Sequence, residues 1–328
     1  MKRHTELIVS LLSGALMFAA AAPAIASPVD YPSRPVTVVV GYPAGGPADM
    51  AARIIGEELN KLWQQSVIVE NKPGANATIA ATDIARADND GYRILLAAGN
   101  HTTNKFVYKD LRYDVEKSFA PIALISQTPT VLATSVSFPA NNVQELLKLL
   151  RDDPGRYNYS STGYGSTSHL AAELFKQHTD TSIEHIPYKG VGQAAADIIG
   201  GSVDMVFASL GSVKAYFDSG KLKPIALATP GRLAELPDTP TFAEEGVRGF
   251  EVQTWYGLLA PAGTDKAIID KINHDVNGIL QQPEIQQKLL AQGGYAAAQT
   301  AEEFAARLQK ELQTMEALSA RVDLGSGK

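Results

Sequence analysis

Two segments of the chain follow the same plan: a short β run, a glycine-rich loop and the start of a helix. The first covers residues 37–49 and leads into an amphipathic helix at residues 50–62. The second covers residues 157–168 and leads into a helix at residues 169–178. Such a loop directs unpaired backbone N–H groups and the positive end of a helix dipole toward an anion, without Arg or Lys. Two of these loops predict a pair of surfaces that close on a small carboxylate.

The N-terminus is typical of an exported protein. It has a basic start, an almost wholly apolar stretch at residues 7–22, and the small-x-small pattern Ala24-Ile25-Ala26. This pattern predicts a signal peptide at residues 1–26, cleaved near Ala26, and a periplasmic location. A retained membrane anchor is the alternative, although no later stretch reaches the roughly 20 apolar residues needed to span a bilayer.

Composition excludes several classes of function. The net charge of −6 is spread without blocks, which argues against nucleic acid or anionic lipid as the partner. The chain has no Cys, so disulfides, thiolate metal sites and cysteine nucleophiles are excluded. A zinc site requires ligands at a characteristic spacing, and the 6 His residues of the chain do not show one. We therefore expect neither a metal nor a cofactor.

The β runs and helical runs alternate, which indicates an α/β fold with a parallel or mixed sheet and helices on both faces. A long apolar run at residues 119–135 predicts a strand that leaves one domain for another, and residues 251–259 predict the returning crossover. A chain that builds half of one domain, then a second domain, and then returns suits hinge closure around a ligand. The predicted boundaries are 27–126 plus 250–328 for lobe 1 and 127–249 for lobe 2.

Two glycine motifs have the spacing of nucleotide sites but lack their chemistry. Gly41 and Gly46 are spaced as in a phosphate-binding P-loop, yet Pro47 and Ala48 stand where its Lys and Ser/Thr should be. Residues 190–195 imitate a dinucleotide fingerprint, but they do not follow the first strand and lack the acidic partner. We interpret them as a turn with close helix packing.

Hydrolysis of small esters by a periplasmic α/β hydrolase is an alternative function. Ser160, Ser161, Ser166 and Ser168 crowd one loop beside His169. No Gly-x-Ser-x-Gly elbow occurs, and adjacency in sequence does not place a histidine as a base. The same hydroxyls serve equally well as helix caps or as donors to a bound oxygen. No catalytic residue is therefore assigned.

A series of short segments runs in order through nearly the whole chain after the signal peptide. They are residues 31–36, the Tyr-Pro-Ala-Gly-Gly loop at 42–46 with Asp49, and residues 69–75, 90–92, 158–161, 168–170, 186–190, 236–241, 255–258 and 260–264. In this order they resemble the periplasmic solute-binding receptors of tripartite tricarboxylate transporters, the Bug-type receptors. The resemblance implies a two-lobed periplasmic-binding-protein fold of the Venus-flytrap, type II-like class, with two crossover strands.

The resemblance also implies a function. Receptors of this family trap a small organic acid and deliver it to a two-part membrane permease, so a monomeric, non-catalytic binding protein is expected. A sensor component that presents the ligand to a signalling kinase is the alternative role.

The resemblance further implies which residues hold the ligand. In the family, the Pro-Ala-Gly-Gly loop and the Ser-rich loop hold a carboxylate through backbone N–H groups and ordered water. The loop after the third strand and the turn after residues 203–207 supply further contacts. The ligand-binding residues predicted here are Tyr42, Ala44, Gly45, Gly46, Asn76, Asn100, Thr102, Ser161, Thr162, Ser166, Thr167, Tyr188, Ala208 and Ser209.

Two departures from the family pattern bear on the ligand. The first loop reads Gly46-Pro47-Ala48-Asp49 where the family usually has Gly-x-Thr-Asp, so one hydroxyl and one N–H are missing. At residues 207–211 the chain reads Phe-Ala-Ser-Leu-Gly, where relatives often carry an Asp as the second residue. A partner for a ligand ammonium is then missing. We expect a ligand without an amino group, such as an aromatic or dicarboxylic acid.

Overall fold

The computed structural model describes residues 30–188 and 190–320. The predicted signal peptide at residues 1–26 lies outside the described residues. From Tyr31 onward, the described chain belongs to one compact unit. None of its helices is both long enough and apolar enough to cross a bilayer.

Strands and helices alternate along the described chain, as the sequence predicts. The strands are β1 (Val36–Val40), β2 (Val67–Asn71), β3 (Arg93–Ala98), β4 (Phe119–Ser135), β5 (Asn158–Ser161), β6 (Glu184–Pro187), β7 (Met205–Ser209), β8 (Leu222–Leu227), β9 (Gln253–Pro261) and β10 (Tyr295–Ala296). The α-helices are α1 (Pro47–Trp63), α2 (Thr78–Ala85), α3 (Asn100–Val107), α4 (Val143–Asp152), α5 (Thr167–Thr179), α6 (Val191–Ile199), α7 (Leu210–Asp218), α8 (Lys266–Leu280), α9 (Pro283–Ala291) and α10 (Ala301–Ser319).

The strands join in the order β2-β1-β3-β9-β4-β7-β5-β6, and β8 and β10 also pair with β4. β1 runs parallel to β2 and β3, and β5 runs parallel to β6 and β7. Between these two parallel groups, β9 and β4 are antiparallel to their neighbours. Parallel neighbours need a long crossover, usually a helix, which explains the regular alternation of strands and helices. The prediction of a mixed α/β sheet is confirmed.

The long strand β4 links the two parallel groups. Its residues Phe119 to Pro129 pair with β9, and from Thr130 onward it pairs with β7. The predicted crossover strands at residues 119–135 and 251–259 therefore form as β4 and β9. The division into two lobes near residues 126 and 250 stays a prediction.

Helices cover both faces of each parallel group. Around β1–β3, one buried cluster packs against α1 and α8 and another against α2 and α10. Around β5–β7, one cluster packs against α4 and α5 and another against α6 and α7. The cluster at α4 and α5 contains Phe242 and Phe250, whose ring centroids lie 4.6 Å apart. Close aromatic packing of this kind contributes stability beyond the area buried and fixes the strands that carry the site.

Several helices differ from the sequence prediction. α1 begins at Pro47 instead of residue 50, and α5 begins at Thr167 instead of residue 169. Both additions extend a helix into its glycine-rich loop, and Pro is favoured at the first helical position. α3 and α9 were not predicted from the sequence. Four polar residues of α3 are buried, His101, Thr102, Thr103 and Asn104, so this helix has no apolar stripe to detect.

Candidate functional site

Helices begin where the parallel strands end. β1, β5 and β6 lead through loops into α1, α5 and α6, and β7 runs directly into α7. In open α/β sheets, ligands bind outside the carboxyl ends of the strands, where such helix N-termini converge. A cavity of about 380 Å³ lies at this edge. It is lined by Pro47, Thr128, Thr130, Ser160, Ser161, Thr162, Thr167, Ser168, Val191, Ala194, Val206, Phe207, Ala208, Ser209, Gly211, Ser212, Thr254, Tyr256, Ala291 and Gln292.

Four helix N-termini reach this cavity. Its lining includes the first residues of three helices, Pro47 of α1, Thr167 of α5 and Val191 of α6, together with Gly211 near the start of α7. In the described residues, no side chain caps α1, α6 or α7. Their first-turn N–H groups lack intrahelical acceptors. The edge therefore concentrates backbone donors and positive dipole ends at one place.

The cavity carries no formal charge in the described part of the chain. Its lining includes no Asp, Glu, Lys, Arg or His, and the described residues hold no cluster suited to a metal ion. Burial raises the pKa of the Tyr256 hydroxyl to about 12, so this group stays neutral. Ten lining residues carry Ser or Thr hydroxyls: Thr128, Thr130, Ser160, Ser161, Thr162, Thr167, Ser168, Ser209, Ser212 and Thr254. An anion bound here would be held by neutral donors.

The loop between β5 and α5 is held in shape by its own hydrogen bonds. Ser166 Oγ donates to the carbonyl of Gly163 at 2.6 Å and accepts the N–H of His169 at 3.3 Å, which makes it the N-cap of α5. The N–H of Thr162 donates to Ser168 Oγ at 3.1 Å. Ser166 does not line the cavity, so in the structure its hydroxyl serves the helix.

The same loop was the basis of the hydrolase alternative. Ser161 Oγ lies 2.6 Å from His185 Nε2. Burial and the neighbouring His169 lower the pKa of His185 to about 4. His185 Nδ1 has no hydrogen-bond partner in residues 30–188 and 190–320. A serine hydrolase needs a third group that orients the base, and the described residues do not supply one here.

The first glycine-rich loop already contains an anion. The N–H of Gly45 donates to Asp49 Oδ2 at 2.8 Å. Asp49 also accepts from Arg53 Nε at 2.9 Å and from Asn71 Nδ2 at 2.9 Å. Burial raises the pKa of Asp49, but these hydrogen bonds outweigh it and hold the pKa below its usual value. The carboxylate of Asp49 thus occupies the donor that the sequence analysis assigned to the ligand.

Three other predicted site residues form a chain of hydrogen bonds beside this loop. The hydroxyl of Tyr42 donates to Asn100 Oδ1, and Asn100 Nδ2 donates to the carbonyl of Asn76 at 2.7 Å. Thr102 donates to Gly99 O at 2.9 Å. These contacts fix the loop ends after β1 and β3 relative to one another.

The predicted site residues therefore fall into two groups. The cavity lining includes Ser161, Thr162, Thr167, Ala208 and Ser209. The described lining does not include Tyr42, Ala44, Gly45, Gly46, Asn76, Asn100, Thr102, Ser166 or Tyr188. The hydroxyl of Tyr188 donates to Asp197 Oδ2 at 2.6 Å. A ligand-binding role for each of the 14 stays a prediction.

Comparison with known proteins identifies the family. Residues 51–324 match the family model described as the tripartite tricarboxylate transporter family receptor. The chain belongs to this family. Among its relatives, protein BugT of Bordetella pertussis is 31% identical over 294 residues, which cover 88% of this chain and 90% of BugT.

Solved structures of related receptors share the fold. Periplasmic binding protein BugD is 34% identical with a TM-score of 0.72, over 89% of this chain and 98% of BugD. MatC from Rhodopseudomonas palustris, solved with bound malate, is 30% identical with a TM-score of 0.73, over 88% of this chain and 100% of MatC. An R. palustris protein solved with adipate is 32% identical with a TM-score of 0.76, over 89% of this chain and 98% of that protein. The predicted periplasmic-binding-protein fold is confirmed.

Several residues that line the cavity of this receptor were not predicted from the sequence as ligand-binding residues. Thr128 and Thr130 alternate along β4, and Thr254 lies in β9. Ser160, inside β5, was named only with the serines of the hydrolase alternative. Thr254 Oγ1 donates to Thr167 Oγ1 at 2.9 Å, which joins β9 to the start of α5. In β4 a signal was present, because Ser126, Thr128 and Thr130 stand at every second position and so mark one face of the strand for another contact.

Proposed function

We propose that this receptor is a periplasmic solute-binding protein that binds a small organic carboxylate at the cavity and delivers it to a two-part membrane permease of the tripartite tricarboxylate type. The ligand has no amino group, and the protein does not transform it. One observation carries the proposal: four helix N-termini converge on a hydroxyl-lined cavity whose described lining has no charged side chain.

The helix dipoles and hydrogen bonds of such a site together account for micromolar binding of an anion. Each helix N-terminus stabilises a nearby negative charge by about 0.3–1 kcal/mol. Four of them fall short of the roughly 8 kcal/mol that micromolar binding requires. Hydrogen bonds from neutral donors to a charged carboxylate add about 1.5–3 kcal/mol each. Two or three bonds from the starts of α5 and α7 would close the difference.

The absence of an acidic side chain from the described lining supports the exclusion of amino acids. Ala208 and Ser209 line the cavity at the end of β7, and neither offers a negative charge to a ligand ammonium. An ammonium bound among helix N-termini would also face positive dipole ends. The free energy of binding therefore favours a carboxylate over a zwitterion of the same size.

The first glycine-rich loop is the second surface proposed to contact the ligand, and this contact requires a change in one hydrogen bond. Pro47 brings the start of α1 to the cavity, whereas Gly45 donates to Asp49. We propose that Gly45, Gly46, Tyr42 and their neighbours contact the ligand when the two lobes close. For Gly45 to donate directly, its N–H must exchange Asp49 for the ligand.

A charge placed on the cavity without disturbing the fold tests this function. Pro47→Asp adds a carboxylate at the first position of α1, where an acidic residue stabilises the helix. Pro283→Asp is the matched control, because Pro283 is also exposed and begins α9 but does not line the cavity. Two like charges 4 Å apart repel by about 1 kcal/mol even in bulk water. We expect Pro47→Asp to weaken carboxylate binding at least about fivefold and Pro283→Asp to leave it unchanged.

The measurement begins with a thermal-shift screen of the wild-type protein against a panel of carboxylates and matched amino acids, because a ligand of the native state raises its melting temperature. Titration calorimetry then gives the Kd of each hit for wild type and both variants. Tighter binding of aspartate or glutamate than of any simple carboxylate would contradict the proposal. So would equal effects of the two Asp substitutions.

A further inference from the structure

Two histidine rings are in contact beside the Ser-rich loop at residues 162–166, between β5 and α5. The ring centroids of His169 on α5 and His185 on β6 lie 4.5 Å apart. The ring of Tyr164, in the loop itself, packs against both, with centroids 5.3 Å and 4.9 Å away. Neither histidine belongs to the described cavity lining. The pair can therefore act on a bound carboxylate only through the loop.

His169 holds the loop by accepting a hydrogen bond from its backbone. The N–H of Gly165 donates to His169 Nδ1 at 3.2 Å. Nδ1 is therefore the unprotonated nitrogen of the neutral ring, and a proton taken up by the ring binds at this atom. An imidazolium donates from both nitrogens and accepts no hydrogen bond. The proton and the N–H of Gly165 thus exclude one another.

Gly165 is also the point where the loop meets α3. Its carbonyl accepts from Thr103 Oγ1 at 3.3 Å, and a Cβ added to it would clash with the side chain of Val107. α3 belongs to the predicted lobe 1 and the loop to the predicted lobe 2. Thr162 and Thr167, which lie on either side of Gly165, line the cavity. A shift of the backbone at Gly165 therefore disturbs both the contact with α3 and the cavity wall.

The surroundings of the two rings keep them neutral. Burial has the largest effect and lowers the pKa of both His169 and His185. On α5, Glu173 raises the pKa of His169, whereas Lys176 lowers it. In the described part of the chain, the titratable groups that face the two rings are Tyr159 on β5, Tyr164 in the loop, and Glu173 and Lys176 on α5. At neutral pH the bond from Gly165 is therefore intact.

This inference rests on the proposed function and concerns the regulation of the same site. We propose that His169 is a proton-binding site that couples release of the carboxylate to acid. A proton on Nδ1 breaks the bond from Gly165, loosens the Ser-rich loop and weakens the hydrogen bonds that hold the carboxylate. Two imidazolium rings in contact repel one another, so His169 and His185 do not take up protons together.

The sign and size of the effect follow from proton linkage. The ordered loop requires a neutral ring at His169, whereas a loosened loop leaves the ring free to bind a proton with the ordinary histidine pKa of 6.5. Affinity is then full above pH 6.5 and falls as the pH drops below it. At pH 5.0 the loss reaches up to about thirtyfold, because each pH unit below the pKa is worth about tenfold.

Affinity at two pH values, with a variant that cannot take up the proton, tests this coupling. The probe is the tightest binder among succinate, malate, adipate and benzoate, titrated by calorimetry at pH 7.5 and pH 5.0. His169→Asn keeps an acceptor near the position of Nδ1 but does not ionise. We expect binding to wild type to weaken at least about fivefold more than binding to His169→Asn over this range. Protonation of the probe itself is common to both proteins and cancels in the comparison.

His178→Asn is the matched control. His178 lies on the same helix, but its Nδ1 is 2.9 Å from the carbonyl of Leu174, away from the loop. This variant should show the pH dependence of the wild type. A second measurement needs no ligand: in nuclear magnetic resonance of the wild-type protein, the amide signal of Gly165 should shift with the same midpoint pH as the ring of His169.

The outcomes separate this inference from the function beneath it. A pH dependence that is equal in wild type and His169→Asn would overturn the coupling and leave carboxylate binding standing. A Gly165 amide that does not follow the titration of His169 would overturn it as well, and decides the matter if His169→Asn fails to fold. A folded wild-type protein that binds no carboxylate would contradict the proposed function, whatever the two signals do.

Discussion

A contact between two glycine backbones at the cavity rim gives a test of lobe closure. Gly211 is the second residue of α7, and Gly293 lies in the turn between α9 and β10. A Cβ added at Gly211 would lie 2.8 Å from Gly293 Cα and 3.3 Å from the carbonyl oxygen of Gln292. Both obstacles are backbone atoms, which cannot turn aside as a side chain can. Gly211 and Gln292 both line the cavity, so any separation here widens the cavity.

The size of the effect follows from this geometry. Carbon atoms pack best at about 3.5–4.0 Å, so Gly211→Ala requires the two segments to separate by roughly 1 Å. Overpacking of this kind costs about 1–3 kcal/mol. If the contact belongs to the closed, ligand-bound form, that cost falls on closure, and ligand affinity drops about 5- to 150-fold. The substitution keeps the backbone N–H of residue 211, so the donors at the start of α7 that the proposed site uses are all retained.

Gly192→Ala is the matched control for this prediction. Gly192 is the second residue of α6, whose start also reaches the cavity, but a Cβ there would meet only the hydroxyl of Tyr216, at 4.0 Å. We expect calorimetry with the best carboxylate of the panel to give wild-type affinity for Gly192→Ala and weaker binding for Gly211→Ala. Wild-type affinity in a folded Gly211→Ala protein would refute the view that this contact belongs to the closed form.

Three further predictions concern the fold around the site. Ser166→Ala removes the cap of α5 and should lower the free energy of unfolding by about 1 kcal/mol. Because Ser166 is not part of the described cavity lining, we expect the carboxylate Kd to change less than about threefold, or roughly 0.7 kcal/mol, and a larger loss would support the ligand contact predicted for its hydroxyl. Loss of a measurable esterase activity in this variant would revive the hydrolase alternative. Burial lowers the pKa of His101 from 6.5 to about 4. Between these two pH values the unfolded chain binds a proton at this histidine and the folded chain does not, so the free energy of unfolding falls as the pH drops from 6.5 to 4. The loss is on the order of 3 kcal/mol. Urea unfolding at several pH values should show a shallower loss for His101→Gln, and an identical slope would exclude the assignment. Phe242→Ala empties the centre of the aromatic cluster against Phe250 and should lower the free energy of unfolding by about 3–5 kcal/mol. A melting temperature within 2 °C of wild type, which corresponds to only about 1 kcal/mol for a chain of this size, would contradict this.

Much of the fold could be predicted from local patterns. β4 extends over Phe119–Ser135, as its long apolar, β-branched run predicts. α4 and α10 begin directly after Asn142 and Thr300, whose side chains accept the N–H of Glu145 and Glu303 and are strong N-caps that a sequence can signal. α3 could not be found this way, since tertiary contacts, rather than an apolar stripe, bury its polar residues. β10 has only two residues and depends on its pairing with β4.

The candidate site could be predicted only in part. The Ser-rich loop was found because a glycine-rich loop before a helix is a local signal. The end of β7 was found only because the chain resembles a family in which the turn after residues 203–207 contacts the ligand. Thr130 was missed, and Ser160 was not among the predicted ligand-binding residues, because their place in the cavity lining depends on which strands flank β7. The bond from Gly45 to Asp49 could have been suspected, since an acidic residue four positions later competes for the same N–H group. Sequence spacing alone could not decide whether the N–H of Gly45 donates to the Asp49 carboxylate or to a ligand.

A crystal structure with the tightest carboxylate of the panel tests the central claim most directly. The account predicts that the carboxylate oxygens lie within about 3.2 Å of backbone N–H groups at the starts of α5 and α7, with no Lys or Arg side chain in contact. A ligand bound elsewhere on the protein, or one whose oxygens pair chiefly with cationic side chains, would contradict it.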